Sequence, residues 1–296
     1  MSSDLLAADL ERREPRASAA VRSARPSSRL LRSELRLVFG RRRNQALLVV
    51  LSLVPVLVGV AIYVSQSNPG SSDGPPFLDR VSGNGLFLAF AALAAVVPFF
   101  LPLATGVVSG DAVAGEAQAG TLRYLLTVPV SRGRLLAVKY AGLVAYCLVA
   151  AVLVAVVGLA VGAALFPVGD VTLLSGSTIP AGSAVVRALL VALYVTASLA
   201  GLAALGLAVS TFTEVPVAAM ATTVVLAITS QILDAIPQVD WLHPFLFSHQ
   251  WLAFGDLVRD PVPLGAMGQG LLLQLCWAAV ALAVAWSRFT TKDVTS

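Results

Sequence analysis

The sequence predicts an all-α integral membrane protein, and its composition is the first evidence for that fold class. Hydrophobic residues make up 57% of the 296 residues and charged residues only 12%, with a mean hydropathy of +0.85. A soluble domain normally has about 25% charged residues. The charges are also segregated, since 11 of the 20 Lys and Arg residues precede Ala46 and the cores of the long apolar runs that follow carry none. This composition excludes an ordinary soluble enzyme.

Six apolar segments are long enough to span a bilayer. A transmembrane helix needs about 20 residues, each rising about 1.5 Å, to cross about 30 Å of hydrocarbon. Helices are predicted because the runs show no strand-like alternation and backbone groups in lipid must be paired within the segment. Gly158 and Gly162 form a GxxxG pair that allows close helix packing. The predicted spans are residues 46–64, 85–108, 139–166, 188–210, 215–233 and 264–287.

The segment before the first span divides into two parts. Residues 1–28 are rich in Arg, Ser, Ala and Glu without apolar periodicity, which predicts a disordered basic tail in the cytoplasm. Over residues 29–45, Leu31, Leu35 and Val38 recur at helical spacing among arginines, which predicts an amphipathic interfacial helix on the inner leaflet. A basic stretch that only fixes topology is the alternative. We expect a retained signal anchor, because the first apolar run begins too far along the chain for a cleavable signal peptide.

The distribution of Lys and Arg predicts the orientation. With the N-terminus in the cytoplasm, 17 of these residues fall on the inner side and three on the outer side, where seven aspartates also lie. Both termini, including residues 290–296, are therefore expected in the cytoplasm, with the chain in the plasma (inner) membrane. The net charge of +4 is assigned to topology and to anionic membrane lipid, so no nucleic-acid partner is predicted.

The span cores contain no Asp, Glu, Lys, Arg or His, which argues against a proton relay within the chain. Gln231 and Gln274 are candidates for the substrate path, although interhelical hydrogen bonding is the simpler interpretation. Pro98 and Pro102 would bend the second span. Such bends either line a pathway or are plain architecture, and both alternatives stay open.

The sequence lacks the loop motif of nucleotide hydrolysis and the zinc-binding motif HExxH. It has no GxxxxGK[ST] loop, and Lys139 and Lys292 are its only lysines. His243 and His249 are the only histidines, six residues apart. A metal site needs more ligands at tighter spacing, so both histidines are interpreted as structural and no metal is predicted. We expect neither enzymatic activity nor a cofactor in this chain.

The most informative segment is the second cytoplasmic loop, residues 109–140. It begins with Asp111 and Glu116, continues with an apolar and aromatic group, and reaches Pro129, which breaks a helix. We predict a short helix parallel to the membrane over residues 111–127, followed by Arg132, Arg134 and Lys139 at the inner interface. A passive elbow is the simplest interpretation. The acids close to the inner leaflet and the apolar group after them instead favour a second interpretation. In that interpretation, the loop helix docks into a groove on a soluble partner.

This loop resembles the signature of ABC-2 type permeases, the membrane subunits of ATP-binding-cassette exporters. The family pattern runs from an acid through GE, GT-L and LL-x-x-P-x-SR to a lysine. Its matches here are Asp111, Gly115-Glu116, Gly120-Thr121-Leu122, Leu125-Leu126, Pro129, Ser131-Arg132 and Lys139. Val138 departs from the pattern, because Gly often precedes the lysine in the family. The resemblance extends from about Arg29 to the C-terminus.

The resemblance implies that the loop is a coupling helix, which seats in a cleft of a separate cytosolic ATPase that holds ATP and Mg. Residues 234–263, rich in aromatic side chains and interrupted by prolines, would correspond to the re-entrant outer helices of the family. Because six helices rarely enclose a path, a second permease copy or a paralogue is expected to complete a dimer with two ATPases. The residues implicated in coupling are Asp111, Glu116, Gly120, Thr121, Arg123, Leu125 and Arg132.

The predicted function is therefore the permease subunit of an ABC exporter. The alternative is a non-transporting membrane scaffold or assembly factor that recruits a cytosolic partner. A stand-alone carrier or channel is disfavoured by the charge-free spans, and an intramembrane enzyme by the lack of a nucleophile–base pair or metal cluster. A largely apolar path would suit lipids, hydrophobic drugs or peptides.

Overall fold

The computed structural model describes residues 28–66, 81, 83–120 and 131–291. The predicted disordered tail, apart from its last residue, lies outside the described residues, as do the middle of the second cytoplasmic loop and the last five residues. The described part contains eight α-helices, with three short 3-10 helices and one hairpin between them. The α-helices are α1 (Ser28–Gly40), α2 (Arg42–Gln66), α3 (Leu88–Val96), α4 (Phe100–Gln118), α5 (Arg132–Leu165), α6 (Ala181–Phe212), α7 (Pro216–Asp234) and α8 (Gly265–Thr291).

Five of these helices, α2, α5, α6, α7 and α8, are each long and apolar enough to cross a membrane. A sixth candidate combines Gly85–Val96 with α4, and these two stretches are bent by 56° relative to each other. All six candidates coincide with apolar segments of the sequence. The prediction of an all-α integral membrane protein is confirmed.

Two boundaries differ from the sequence prediction. The interfacial helix is predicted to extend to residue 45, whereas α1 ends at Gly40 and the first spanning helix already begins at Arg42. The second span is predicted to end at residue 108, before a separate loop helix, whereas α4 continues without a break through Asp111 and Glu116 to Gln118. The helix can continue past both acids because the fold places a cation beside each carboxylate.

Pro98 and Pro102, both predicted to bend the second span, have different effects. Pro98 lies in the three-residue turn that separates α3 from α4, where the 56° bend occurs. Pro102 lies in the first turn of α4. The N–H groups of a first turn have no acceptor within the helix, so proline fits there without the loss of a hydrogen bond. The bend therefore belongs to the turn at Pro98.

Helix α6 is the central helix of the bundle. It packs against α4, α5, α7 and α8, and Leu199, Leu202 and Leu207 are among its fully buried side chains. Helices α2, α7 and α8 are peripheral and expose large apolar side chains, such as Leu57 and Leu272. Apolar outer faces of this kind suit contact with lipid, in which polar backbone groups must be paired inside the helices.

The GxxxG pair of α5 permits close contact with the second span. A Cβ atom at Gly158 would lie 2.8 Å from the Cα atom of Ala89 in α3, and one at Gly162 would collide with the carbonyl group of Gly85. The N–H of Gly85 donates to the carbonyl oxygen of Pro167 at 3.0 Å. The two glycines thus let the backbone of α5 approach that of α3 and of the 3-10 helix before it, Gly85–Phe87, as their spacing predicts.

The helix ends and loops gather at two opposite ends of the bundle. We call the first the basic end; it contains α1, the start of α2, the C-terminal half of α4, the start of α5 and the end of α8. There Arg132 Nη1 donates to the carbonyl oxygen of Phe289 at 3.0 Å, and the guanidinium group of Arg288 lies 5.7 Å from the centre of the Phe212 ring. The arginines and the lysine assigned to the cytoplasmic side within the described residues lie at this end.

We call the second the aromatic end. It contains a hairpin of β1 (Val171–Thr172) and β2 (Thr178–Ile179), which are antiparallel, and the outer segment, defined here as residues 235–264. The outer segment folds largely as 3-10 helices, Pro237–Phe245 and Ala253–Val258. Leu174 N–H donates to the carbonyl oxygen of Val258 at 2.9 Å, which joins the hairpin to the outer segment.

Candidate coupling site at the basic end

The basic end contains a buried ion cluster centred on Lys139 of α5. The lysine side chain is only 1% exposed, and its Nζ lies 2.6 Å from Glu116 Oε1 in α4 and 3.3 Å from Glu34 Oε1 in α1. Both carboxylates are themselves buried. An ammonium group has three donors and can bind both acids. One side chain therefore joins three helices.

A second ion cluster lies on the same helix around Asp111. Its carboxylate accepts a hydrogen bond from Arg43 Nη2 at 2.7 Å and forms an ion pair with Arg41. The Asp111 side chain is 9% exposed, whereas those of Arg41 and Arg43 are 34% and 41% exposed. The two guanidinium groups thus cover a buried acid from the side that faces solvent or headgroups, and they link the junction of α1 and α2 to α4.

The break between α1 and α2 positions these arginines. The last carbonyl groups of a helix lack intrahelical partners, and Asn44 Nδ2 donates to the carbonyl oxygen of Val38 at 2.8 Å. The hydroxyl group of Tyr146 in α5 donates in turn to the carbonyl oxygen of Asn44 at 3.2 Å. Because these bonds fix the corner between the helices, Arg41 and Arg43 both reach Asp111.

Helix α1 uses a polar residue to dock on α5. Glu34 and Val38 are buried against α5, whereas Leu31 is 38% exposed. A Cβ atom at Gly142 of α5 would lie 3.1 Å from Glu34 Cγ, so the glycine leaves room for the acid. The apolar stripe predicted for this helix is therefore only partly its buried face, because the attraction of Glu34 to Lys139 also determines how α1 is rotated.

The structure brings together some of the residues predicted to couple with an ATPase. Asp111 and Glu116 occupy the two ion clusters, and Gly120 ends α4 with a φ of +68°, a left-handed conformation that glycine adopts without strain. Arg132 begins α5. The remaining predicted coupling residues, Thr121, Arg123 and Leu125, lie outside the described residues.

Glu34, Arg41 and Arg43 belong to the site but are not among the residues predicted for it. A sequence signal for Glu34 exists, since it is the only acid between Arg29 and Arg43 in a segment otherwise charged by arginine. Lys139 is predicted to hold the inner interface together with neighbouring arginines. The structure instead buries it, because two carboxylates from other helices replace its contacts with water.

An apolar cavity of about 750 Å³ lies at the aromatic end, between α2, α3 and parts of the hairpin and outer segment. Neither Gln231 nor Gln274 lines it, and neither do Pro98 and Pro102, the other residues predicted for a substrate path. The side chains around this cavity include Val58, Ile62, Phe90, Leu174, Leu252 and Phe254.

Gln274 fastens the outer segment to α8. It is 3% exposed, and its Nε2 donates to the carbonyl oxygen of Phe247 at 2.5 Å. Its Oε1 has no hydrogen-bond partner within the described part of the chain and lies where a Cβ atom of Gly201 in α6 would clash. The sequence favours a hydrogen-bonding role for Gln274 over a contact with substrate. The bond to Phe247 is a contact of the favoured kind. Gln231, near the end of α7, is partly buried.

The candidate spans and the apolar outer faces define a multi-pass α-helical membrane protein. Residues 38–294 match the family described as ABC-2 family transporter protein, and the chain belongs to this family. The match covers α2 to α8, the outer segment and every residue of the candidate site except Glu34. The family expected from the loop motif is thereby confirmed, and with it the general class of ABC transporter membrane subunits.

Two curated relatives are both named probable ABC transporter permease protein NosY. The one from Stutzerimonas stutzeri is 42% identical over 52 residues, which cover 18% of this chain and 19% of the relative. The one from Pseudomonas aeruginosa is 33% identical over 101 residues, 34% of this chain and 33% of the relative. The matched segments thus span a third or less of these relatives.

Proposed function

We propose that this chain is the permease subunit of an ABC exporter and that its basic end transmits movement from a separate cytosolic ATPase. The observation that carries the proposal is the buried cluster of Glu34, Lys139 and Glu116. It joins α1, α4 and α5 at the end of the bundle where the loop with the family motif leaves α4 and returns to α5.

The geometry supports a mechanical role for this end. A force applied to the loop between Gly120 and Ser131 reaches α4 and α5 together, because one helix ends and the other begins there. Glu116 is near the end of α4, next to the loop. Through Glu116 and Glu34, Lys139 therefore connects the end of α4 that would receive the force to α5 and α1. Separation of a buried ion pair leaves charges without compensation. The three helices are therefore expected to move as one unit.

Coupling also requires that the ATPase contact this loop differently in its nucleotide states, since a ligand shifts an equilibrium only by its differential affinity. We place that contact at Gly120, Thr121, Arg123 and Leu125, with Asp111 and Glu116 as the anchors behind it. ATP and Mg would bind to the ATPase. A second permease, identical or paralogous, would complete the path. From the family motif we infer that the direction of transport is export.

The first test is co-purification of the tagged full-length chain in a mild detergent, followed by identification of the proteins that co-elute. We expect an ATPase with a phosphate-binding GxxxxGK[ST] motif. Leu125→Asp should reduce its recovery at least about tenfold, because a buried charge disfavours an apolar contact. Leu174→Asp is the matched control, because Leu174 is 42% exposed and lies at the opposite end of the bundle.

The recoveries discriminate between the alternatives. Equal amounts of ATPase with Leu125→Asp and Leu174→Asp would contradict the assignment of the loop as the coupling contact. A partner protein without an ATPase motif, recovered by wild type and lost with Leu125→Asp, would favour the scaffold function instead. If the ATPase co-purifies, its hydrolysis rate in the reconstituted complex should fall with Leu125→Asp and stay at the wild-type value with Leu174→Asp.

A further inference from the structure

Three side chains of the types that can bind a metal ion lie together at the aromatic end, apart from the candidate coupling site. Asp234 is the last residue of α7, and His243 and His249 lie in the outer segment that follows. One ligand atom from each residue lies within 4.8 Å of the others, and all three residues are partly buried. The spacing of the histidines along the sequence predicts no metal site because a third ligand is missing, and the fold supplies that ligand from α7.

The backbone holds His243 in the tautomer that a metal ligand needs. Its Nε2 lies 3.2 Å from the carbonyl oxygens of both Leu233 and Ile236. A carbonyl oxygen only accepts hydrogen bonds, so Nε2 carries the proton and Nδ1 keeps its lone pair. Metal-binding histidines commonly donate their second ring N–H to a carbonyl group, which orients the ring and raises its basicity.

His249 is oriented by the carboxylate. Its Nδ1 lies 2.6 Å from Asp234 Oδ1, and its ring centre lies 5.7 Å from that of His243 with 32° between the planes. The two rings and the carboxylate therefore converge on one small region. The side chains of His249 and Asp234 are 32% and 25% exposed, so an ion can enter from outside the bundle.

We propose that Asp234, His243 and His249 bind one divalent transition-metal ion, with Zn²⁺ as the best fit. Two imidazoles and a carboxylate are a nitrogen and oxygen set that Zn²⁺ accepts in tetrahedral geometry, with water in the fourth position. Bonds of about 2.1 Å place tetrahedral ligand atoms about 3.4 Å apart, and the three ligand atoms here lie within 4.8 Å of one another. Ca²⁺ and Mg²⁺ prefer oxygen ligands and fit this set poorly.

A bound ion would attach the outer segment to the end of α7. Contacts between these elements already exist, since the hydroxyl oxygens of Ser230 and Ser248 lie 2.7 Å apart and the two histidines reach the end of α7. The ion would add a stronger link. The site is thereby placed to hold the outer segment against α7, and this inference depends on the positions of the three side chains and not on transport.

The test uses the full-length protein, purified with a histidine-free affinity tag, stripped with EDTA and titrated with Zn²⁺ against a chromophoric chelator. The background variant Cys276→Ser removes an exposed thiol that could also bind the metal. We expect one Zn²⁺ per chain, and a visible absorption spectrum of tetrahedral type with Co²⁺. His243→Ala, His249→Ala and Asp234→Asn should each weaken Zn²⁺ binding at least about tenfold.

Asp240→Asn is the matched control, because Asp240 is an exposed acid of the same segment outside the cluster. It should bind Zn²⁺ as the wild type does. The proposal is overturned if the stripped protein binds no Zn²⁺, or if binding is the same with His243→Ala as with Asp240→Asn. Thermal unfolding of each metal-free variant checks the fold. If His243→Ala does not fold, His243→Gln in its place must still abolish the Co²⁺ spectrum of tetrahedral type.

Discussion

The two ends of the bundle are held together by different interactions. At the basic end, three buried carboxylates form ion pairs with one buried lysine and two partly exposed arginines, and these pairs connect four helices. At the aromatic end, most links run from one side chain to a backbone carbonyl oxygen. Neutral donors there include Asn84 to Gly169, Tyr194 to Gln250 and Trp277 to Phe245, at 2.8, 2.8 and 3.0 Å. Arg187, which donates to Leu257 at 2.8 Å, is a charged donor.

The two kinds of link differ in what their loss costs. A buried charge that loses its partner is destabilised by several kcal/mol, about 3–5 in measured cases. The loss of a neutral hydrogen bond costs about 1 kcal/mol, and a carbonyl oxygen near the surface can accept from water instead. The side chains of the basic end should therefore keep their ion-pair partners and make that end stiff. The side chains of the aromatic end can exchange one hydrogen-bond partner for another. The proposed coupling function would use that contrast, with force received at the basic end and rearrangement at the aromatic end.

Loss of the central cation should have the largest effect. Lys139→Met leaves Glu34 and Glu116 buried without their shared ammonium group, so we expect a loss of about 3–5 kcal/mol in the free energy of unfolding. The measurement is reversible unfolding of the full-length protein in mixed detergent micelles. Arg36→Met is the matched control, because Arg36 is an exposed cation on α1 and surface charges contribute about 0–1 kcal/mol.

A combined variant separates the charge imbalance from the packing. Replacement of the whole cluster with Glu34→Leu, Glu116→Leu and Lys139→Met should recover most of the stability lost by Lys139→Met, since apolar residues often substitute for a buried ion pair without loss. If Lys139→Met is as stable as Arg36→Met, the basic end is not held by this cluster and the contrast between the ends fails.

Disruption of the second ion cluster should cause an intermediate loss of stability, because its cations are closer to the surface. Asp111→Asn removes the negative charge shared by Arg41 and Arg43, whose side chains are 34% and 41% exposed and so remain partly solvated. A hydrogen bond to a charged group contributes about 1.5–3 kcal/mol, and solvent reduces this. We expect a loss of about 1–2 kcal/mol, measured by the same unfolding experiment with Asp240→Asn as the control.

Salt dependence provides the check on that prediction. The stability difference between wild type and Asp111→Asn should shrink as salt is raised, because partly exposed charges are screened. The difference caused by Lys139→Met should change less, because Lys139 is only 1% exposed. Equal salt dependence of the two variants would show that the two clusters do not differ in burial as described.

The fold was predictable from the sequence where the signal is local. Each span is a continuous apolar run, and the bend near Pro98 and the close packing at Gly158 and Gly162 follow from the residues at those positions. Such features depend on neighbouring residues along one helix. They could be derived before any tertiary contact was known.

The candidate site was only partly predictable, because its members are distant in sequence. Asp111 and Glu116 were found from their motif, but Arg43 lies 68 residues from Asp111 and Glu34 lies 105 residues from Lys139. No spacing rule connects such pairs. Asp234 and His249, 15 residues apart on different elements, illustrate the same limit at the aromatic end. The motif identifies the two acids but does not indicate the cations from other helices with which they pair.

Substitutions at the aromatic end should cause the smallest losses of stability. Two hydrogen bonds at this end can be compared directly. Tyr194→Phe removes a neutral donor to the carbonyl oxygen of Gln250, so we expect a loss of about 1 kcal/mol. Gln274→Leu removes its donor to Phe247 but also removes a buried Oε1 that has no hydrogen-bond partner in the described residues. Removal of that unpaired acceptor offsets the lost hydrogen bond. The stability of Gln274→Leu should therefore stay within about 1 kcal/mol of the wild type.

The same pair also tests the predicted substrate role of Gln274. With the permease and its ATPase reconstituted together, a glutamine that only fastens the outer segment should leave ATP hydrolysis unchanged when replaced by leucine, as Tyr194→Phe should. A change in hydrolysis with Gln274→Leu alone, at unchanged stability, would mean that this side chain contacts the transported molecule. A stability loss with Gln274→Leu as large as that with Lys139→Met would instead erase the distinction between the two ends, because a neutral hydrogen bond would then contribute as much as a buried ion cluster.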